Sequence, residues 1–194
     1  MRAALIERDT KETQIRLQIN LDGTGESEIS TGLGFFDHMT TLFASHSKID
    51  VKLSVQGDLE VDGHHTVEDV GIAFGRAFAE ALGDKKGIRR YGFFILPMDE
   101  TLAQVAVDFS GRPYVVFNAT FPVERVGNFD LELVREFWYG FANAVGCNLH
   151  VNVPYGSNGH HIAEAIFKCA ARAIRAAVEY DPRQVGIPST KGTL

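Results

Sequence analysis

Hydrophobic and polar residues alternate along several short stretches of the chain, which is the pattern of half-buried β-strands. In residues 14–21 the apolar positions are Ile15, Leu17, Ile19 and Leu21. Glycines and prolines between such stretches predict turns. The same alternation predicts further strands at residues 50–56, 93–97, 102–109, 114–118 and 148–153.

Between the strands the apolar spacing changes to three and four residues, which predicts amphipathic helices. The clearest case begins at His64, where Val67, Val70 and Phe74 share one face, and it ends at Gly83. Other helices are predicted over residues 35–45, 130–145 and 160–178.

The second half of the chain repeats the first, which predicts a duplicated fold. The motif Gly-His-His-x-x-Glu stands at residues 63–68 and again, 96 residues later, at 159–164. An offset of 98 residues pairs His38 with Glu136. We expect an α+β fold of two fused repeats, each a small sheet backed by two helices, with no linker between them. The predicted halves of this single domain are residues 1–88 and 89–194.

Length and composition fit one globular domain and exclude several classes of protein. The 194 residues include 45% apolar residues, enough for a sizeable core. A net charge of -6 argues against a general nucleic-acid-binding protein, which would be basic. Neither a membrane-spanning run nor a signal peptide is recognisable. Cys147 and Cys169 form no CxxC pair, so we expect free thiols in a reducing cytoplasm.

The duplicated His-His-x-x-Glu motif predicts metal binding. It contains four of the seven histidines, and a chance arrangement of capping or exposed histidines does not explain the repetition. On a helix, residues four apart share a face, whereas adjacent residues diverge by about 100°. His64 and Glu68 can therefore hold one ion while His65 points elsewhere, and the second motif repeats this geometry. Such ligands suit Mn, Fe, Co or Zn.

With these motifs in place, the chain resembles the imidazoleglycerol-phosphate dehydratases of histidine biosynthesis. The resemblance implies a ribosomal protein S5 domain 2-like fold and a homo-oligomer of 24 chains, built from trimers, with active sites between subunits. The similar segments are RDTKET (8–13), LDGTG (21–25), STGLGFFDHM (30–39), DGHHTVEDV (62–70), MDE (98–100), DFSGRPY (108–114), GHHIAEA (159–165) and PSTKG (188–192).

The resemblance also implies two Mn(II) ions in each active site and no organic cofactor, although other divalent metals suit the same ligands. Glu136 stands where many members have histidine. Either its carboxylate completes the ligands of the ion held by His64, Glu68 and His161, or it faces solvent and His150 contributes instead. We favour Glu136, and expect His150 and His46 to be structural. The implied ligands are His64, Glu68 and His161 for one ion, and His38, His65, His160 and Glu164 for the other.

The implied reaction removes water from imidazole glycerol phosphate and gives imidazole acetol phosphate. Metal ions at the two ring nitrogens would stabilise an imidazolate and so assist loss of the neighbouring proton and the hydroxyl. Glu12 is implied to contact the substrate hydroxyl and to act as acid or base, unless it is only a solvated carboxylate at a strand end. Glu68 and Glu164 are weaker candidates for proton transfer, because metal binding lowers carboxylate basicity.

Five further residues are implied to bind the substrate phosphate through directed donors. Each of them alone could be an ordinary surface residue. Together they would allow an acidic protein to bind an anion. Lys168 follows His161 by two helical turns on nearly the same face. The five residues are Arg90, Arg112, Lys168, Ser189 and Lys191.

Two other functions use a similar set of ligands. A dinuclear hydrolase would attack a phosphoester or amide and would need no imidazole ring. A metal-storage shell would bind many ions per chain and would need none of the phosphate-binding cations. The paired motifs and the long resemblance favour the dehydratase over both.

Overall fold

The computed structural model describes residues 2–194, which form two four-stranded sheets, four helices and a small hairpin. The first half contains β1 (Ala3–Asp9), β2 (Thr13–Asn20), β3 (Ser27–Ser30), α1 (Gly34–Ser47), β4 (Asp50–Gly57) and α2 (His64–Leu82). The second half contains β5 (Tyr91–Met98), β6 (Thr101–Asp108), β7 (Tyr114–Asn118), β8 (Arg125–Val126), β9 (Phe129–Asp130), α3 (Leu133–Val145), β10 (Asn148–Tyr155) and α4 (Gly159–Val178).

The two sheets have the same strand order. The first is β1-β2-β4-β3 and the second is β5-β6-β10-β7. In each sheet the first three strands are antiparallel, and the last strand joins its neighbour in parallel. Helices α1 and α2 pack on the first sheet, and α3 and α4 pack on the second. The predicted α+β class, with a sheet backed by two helices in each half, is confirmed.

Alternation in the sequence determines which face of each strand is buried. In β2, Ile15, Leu17 and Ile19 are buried, whereas the intervening Arg16 and Gln18 are exposed. Residues i and i+2 of a strand share a face, so one face of β2 lies against the helices and the other faces outward. Among residues 2–194, the helices are all too short or too polar to cross a membrane.

Strands β1, β3, β8 and β9 and the start of helix α3 differ from the sequence prediction. Strands β1 and β3 were not predicted, because β1 is an edge strand of mixed polarity and β3 has only four residues. Helix α3 begins at Leu133 rather than at residue 130, since Phe129 and Asp130 pair with Arg125 and Val126 in a hairpin.

The helices of the two halves pair crosswise between the sheets. Helix α2 packs on α3, and α1 packs on α4. Gly71 and Gly75 of α2 lie against the carbonyl oxygens of Phe137 and Phe141, and both contacts advance by four residues, so α2 and α3 run in the same direction. The N-termini of α2 and α3 therefore lie side by side. Both repeated motifs begin a helix, so this packing determines which ligands meet.

Candidate metal centre and substrate site

One group of predicted metal ligands comes together within a single chain. One ligand atom from each of His38, His160 and Glu164 lies within 4.8 Å of the others. Glu164 Oε2 is 3.1 Å from Nε2 of His160 and 3.4 Å from Nε2 of His38. Two imidazoles and one carboxylate at this spacing suit a divalent transition metal.

The local sequence of α4 explains this arrangement. His160 and Glu164 are four residues apart and so share one face of the helix. The side chain of Asn158 accepts hydrogen bonds from the backbone N–H groups of His160 and His161, which caps the helix just before the motif. His38 comes from α1, since the crosswise packing places the first turns of α1 and α4 together; the rings of Phe35 and His160 are 5.0 Å apart.

Lys168 neutralises the one largely buried carboxylate of this group. Its Nζ lies 2.5 Å from Glu164 Oε1, on the side of the carboxylate opposite to the histidines. Burial alone would raise the pKa of Glu164, but the hydrogen bond and charge of Lys168, helped by His160 and His38, lower that pKa. Glu164 is therefore held as the anion that metal ligation requires.

The residues related to this group by the repeat, His64, Glu68 and Glu136, are arranged more loosely. His64 Nε2 lies 3.8 Å from Glu68 Oε2 on α2. Glu136 stands in the first turn of α3, but its carboxylate turns back to the guanidinium of Arg135, with Oε1 3.1 Å from Nη2. Within the described part of the chain, His38, His160 and Glu164 are accordingly the only three potential ligands found close enough to share an ion.

The second histidine of each motif faces carboxylates of its own half. His65 Nδ1 lies 2.9 Å from Asp58 Oδ2, and His161 Nδ1 lies 2.8 Å from Glu100 Oε2. The hydrogen bond with Asp58 raises the pKa of His65, and that with Glu100 raises the pKa of His161. The hydrogen bond with His161 lowers the pKa of Glu100 to about 2.

The ligand sets implied by the resemblance, three residues for one ion and four for the other, therefore do not come together within one chain. The rings of His65 and His161 lie beside acidic side chains and are not part of the His38 group. Glu12, the predicted acid or base, is half exposed, and its Oε1 lies 4.0 Å from Nε2 of His65. Glu12 is thus near a predicted metal ligand, at the end of the β1–β2 hairpin.

Arg90, predicted to bind phosphate, is already engaged within the chain. Its Nε and Nη2 donate to the two carboxylate oxygens of Asp108 at 2.6 and 3.0 Å, and its Nη1 donates to the carbonyl of Pro188 at 3.0 Å. Its backbone φ of 72° is uncommon for a residue other than glycine. Arg90 therefore joins the second sheet to the C-terminal loop.

The other predicted phosphate ligands are more accessible. Arg112 is exposed, and among residues 2–194 its side chain makes no hydrogen bond or ion pair. Ser189 and Lys191 lie in the C-terminal loop, where the hydroxyl of Ser189 accepts a hydrogen bond from the backbone N–H of Lys191. Lys191 is exposed, and Ser189 is half-buried.

The two histidines expected to be structural have different surroundings. His150 is exposed on β10, between the buried Leu149 and Val151, so it lies on the face of the sheet opposite to the helices. His46 lies on α1, and burial, followed by the charges of Lys168 and Arg172, lowers its pKa. His46 is therefore close to the cations beside the metal-binding group.

Sequence reasoning missed the two carboxylates that contact the motif histidines, Asp58 and Glu100. A signal for Glu100 is present in the sequence. The β1–β2 and β5–β6 turns both end in Glu-Thr, and the threonine, Thr13 or Thr101, begins the next strand and is buried. Asp58 follows the end of β4 directly and carries no comparable pattern.

The chain is similar to known proteins over nearly its whole length. A family model described as imidazoleglycerol-phosphate dehydratase matches residues 31–174. The chain is 58% identical over 193 residues to the imidazoleglycerol-phosphate dehydratase of Citrifermentans bemidjiense, covering 100% of this chain and 99% of the relative.

Two solved structures share the fold. The imidazoleglycerol-phosphate dehydratase of Staphylococcus aureus superposes with a TM-score of 0.84 at 42% identity, covering 92% of this chain and 99% of that one. The enzyme of Pyrococcus furiosus gives a TM-score of 0.84 at 35% identity, covering 97% and 100%. The similarity therefore extends over nearly the whole length of each protein.

Proposed function

The chain belongs to the imidazoleglycerol-phosphate dehydratase family, and from this premise we propose that its His/Glu motifs bind two divalent metal ions, with Mn(II) the metal used. The family, the enzyme class and the role in histidine biosynthesis predicted from the sequence are confirmed. The chain is a hydro-lyase that converts imidazole glycerol phosphate to imidazole acetol phosphate.

The observation that carries the metal proposal is the close approach of His38, His160 and Glu164. These three residues would hold one ion, with His65 as a fourth ligand. The other ion would be held by His64, Glu68, Glu136 and His161. Bound at the substrate's ring nitrogens, the ions would act as Lewis acids toward negative charge developing in the ring.

The proposed ligand sets imply active sites between subunits. His65 and His161 each lie beside acidic groups of their own half rather than with the His38 group. A second copy of the chain would supply the missing histidines to each site. We infer a homo-oligomer on this basis, and the family resemblance favours 24 chains built from trimers.

Glu12 is the proposed proton donor and acceptor. It is accessible to substrate, lies 4.0 Å from His65 Nε2, and is not itself one of the proposed ligands. Glu68 and Glu164 stay second choices, because Glu164 already interacts with Lys168 and two histidines. A carboxylate with that many partners is a poor base.

The phosphate would bind to Arg112 and Lys191, which are exposed, and to Ser189, which is half-buried beside Lys191 in the C-terminal loop. Lys168 lies beside Glu164 and would act at the junction between the metal ions and the anionic end of the substrate. Arg90 would contribute by fixing the C-terminal loop through Pro188. Cations with directed donors are the usual phosphate ligands of proteins.

The division at residues 1–88 and 89–194 is proposed as a duplication within one domain. It is supported by the equal strand order of the two sheets and by the repeated motif. A cytoplasmic location is proposed from the two free, buried thiols, which suit a reducing compartment.

The decisive experiment is turnover of imidazole glycerol phosphate by the chelated protein, with and without added Mn(II). We expect imidazole acetol phosphate to form only with metal, and His160→Ala to abolish its formation. Turnover without any divalent metal would refute the metal proposal. Hydrolysis of phosphoesters in place of dehydration would favour a dinuclear hydrolase, and binding of many ions without turnover would favour metal storage.

A further inference from the structure

The second histidine of each His-His-x-x-Glu motif is held at the same ring atom by a carboxylate. Asp58 Oδ2 lies 2.9 Å from Nδ1 of His65, and Glu100 Oε2 lies 2.8 Å from Nδ1 of His161. The first histidine of each motif instead presents Nε2 to the glutamate one turn later. The two halves therefore reproduce the same contact with carboxylates from different elements.

Hydrogen bonds from groups other than His161 fix the orientation of the Glu100 side chain. Its Oε1 accepts hydrogen bonds from the backbone N–H groups of Ser157 and Asn158 at 3.2 and 2.9 Å, and from the hydroxyl of Thr101 at 3.0 Å. These three donors hold one oxygen toward the loop before α4. The other oxygen, Oε2, is thereby directed at Nδ1 of His161.

Asp58 is held less completely. Its backbone N–H donates to the carbonyl of Glu12 at 3.0 Å, which places its side chain beside His65. Its Oδ2 contacts His65, whereas its Oδ1 is buried without a hydrogen-bond partner in the described chain. No donor in the described chain therefore fixes which of the two oxygens of Asp58 faces His65.

The remaining nitrogen of each ring faces outward. Nε2 of His65 is 4.0 Å from Glu12 Oε1, and Nε2 of His161 is 3.8 Å from Asp99 Oδ2. A neutral imidazole has one donor and one acceptor nitrogen, and only the unprotonated one can bind a metal. A carboxylate that accepts a hydrogen bond from Nδ1 keeps the proton there and leaves Nε2 free.

We propose that Asp58 and Glu100 are positioning residues that fix the Nδ1–H tautomer and the ring orientation of His65 and His161, so that each presents Nε2 to a metal ion. This inference rests on the proposed function, since it presupposes that the two histidines are metal ligands. The inference also gives different roles to two glutamates at equivalent hairpin positions. Glu12 lies on the Nε2 side of His65, whereas Glu100 lies on the Nδ1 side of His161.

The sharpest variant is Glu100→Gln. Because the loop donors hold Oε1, the glutamine oxygen will occupy that position and its NH2 group will face His161. The ring nitrogen Nδ1 must then accept, so the proton moves to Nε2, which can no longer bind metal. We expect Mn(II) affinity at one of the two ions to fall about 10- to 100-fold, the range for losing such a partner, measured by competition with a chelator.

Asp58 supplies an independent second pair of variants. Asp58→Ala leaves Nδ1 of His65 unpaired and is expected to weaken the other ion about tenfold or more. Asp58→Asn can rotate its amide oxygen to His65, so part of the affinity should return. We therefore expect Asp58→Asn to keep part of the Mn(II) affinity and Glu100→Gln to lose it. A purely structural role of the two carboxylates would not produce this difference.

Glu28→Gln is the matched control, because Glu28 is exposed on the first sheet and pairs only with Lys52. It should bind both ions as the parent does. The inference would be overturned if Glu100→Gln and Asp58→Ala bound Mn(II) within about twofold of the parent affinity, far below the effect of losing such a partner. The proposed function would stand in that case, provided that the parent enzyme is active. Absence of Mn-dependent turnover in the parent would instead refute the proposed function.

Discussion

A Cβ atom added to Gly71 would lie 2.4 Å from the carbonyl oxygen of Phe137. Helices α2 and α3 therefore meet backbone to backbone at this point. The contact lies about one turn after Glu68 on α2 and directly after Glu136 on α3, so it sets how closely the N-termini of the two helices approach each other.

We expect Gly71→Ala to destabilise the protein. Alanine favours a helix over glycine by about 1 kcal/mol, but the partner atom is a backbone oxygen that cannot rotate away. Overpacking of this kind costs about 1–3 kcal/mol, so the melting temperature should fall by several degrees. Gly34→Ala is the control, since an added Cβ there meets nothing within 4 Å. An unchanged melting temperature for Gly71→Ala would contradict the tight helix contact.

Glu136→Ala should lower the metal content from two ions per chain toward one and reduce turnover about tenfold or more, as loss of a ligand-shell partner does. The reason is that Glu136 occupies in the second half the position of His38 in the first. Metal analysis and turnover check this. His150→Ala serves as the control, because His150 lies on the opposite face of the sheet. Parent-like metal content in Glu136→Ala would remove Glu136 from the ligand set.

Chelation should dissociate the assembly as well as abolish turnover. Each proposed site takes ligands from more than one chain, so the metal ions link the subunits. Light scattering before and after EDTA measures the particle size, and added Mn(II) should restore it. An unchanged particle in EDTA would show that the subunits associate without shared ligands.

Arg112→Ala should impair substrate binding alone, whereas Arg90→Ala should also lower the stability of the fold. Arg112 has no partner in the described chain, so its loss should raise KM about tenfold or more, the value of one charged hydrogen bond, at unchanged melting temperature. Arg90 bonds Asp108 and Pro188, so Arg90→Ala should also unfold at lower temperature. Kinetics and thermal unfolding of both variants test this. Equal stability of the two would contradict the difference.

The two thiols should be inert in the folded protein. Burial raises the pKa of Cys147 and of Cys169 from 9.0 to about 12. A pKa that is higher in the folded state gives stability that is complete below the unfolded value and is lost as pH rises toward the folded one. We expect no reaction with a thiol reagent at neutral pH, full reaction in denaturant, and a falling melting temperature above about pH 9. Rapid labelling of the native protein would contradict this.

Much of the fold could be predicted because its signal is local. Alternation gave β2 and β6, helical spacing gave α2 and α4, and repetition of the motif indicated two similar halves. Strand β3 was not predicted because it has only four residues, three of them polar, and its pairing with β4 depends on the tertiary structure. The start of α3 was misplaced for a similar reason, since the β8–β9 hairpin depends on pairing and not on periodicity.

In the candidate site, too, the local features could be predicted and those that depend on tertiary packing could not. The i, i+4 relation of His160 and Glu164 follows from helix geometry and was predicted. The approach of His38 to that pair depends on α1 packing against α4, which the resemblance implied but no periodicity encodes. Glu100 was missed because its contact with His161 joins residues 61 apart along the chain. Asp58 lies only seven residues before His65, but their contact depends on the conformation of the turn between β4 and α2, which no periodicity encodes.

The crosswise pairing of the helices has a consequence for the history of the chain. Each proposed metal site takes one helix from each half, so neither half alone would carry a complete site, whereas two copies of one half would carry two identical sites. Once the halves are joined in a single chain, the residues of the two sites can differ. If Glu136 is a ligand, as proposed, then His38 in one site and Glu136 in the other make a nitrogen-for-oxygen difference that separate, identical subunits could not have acquired.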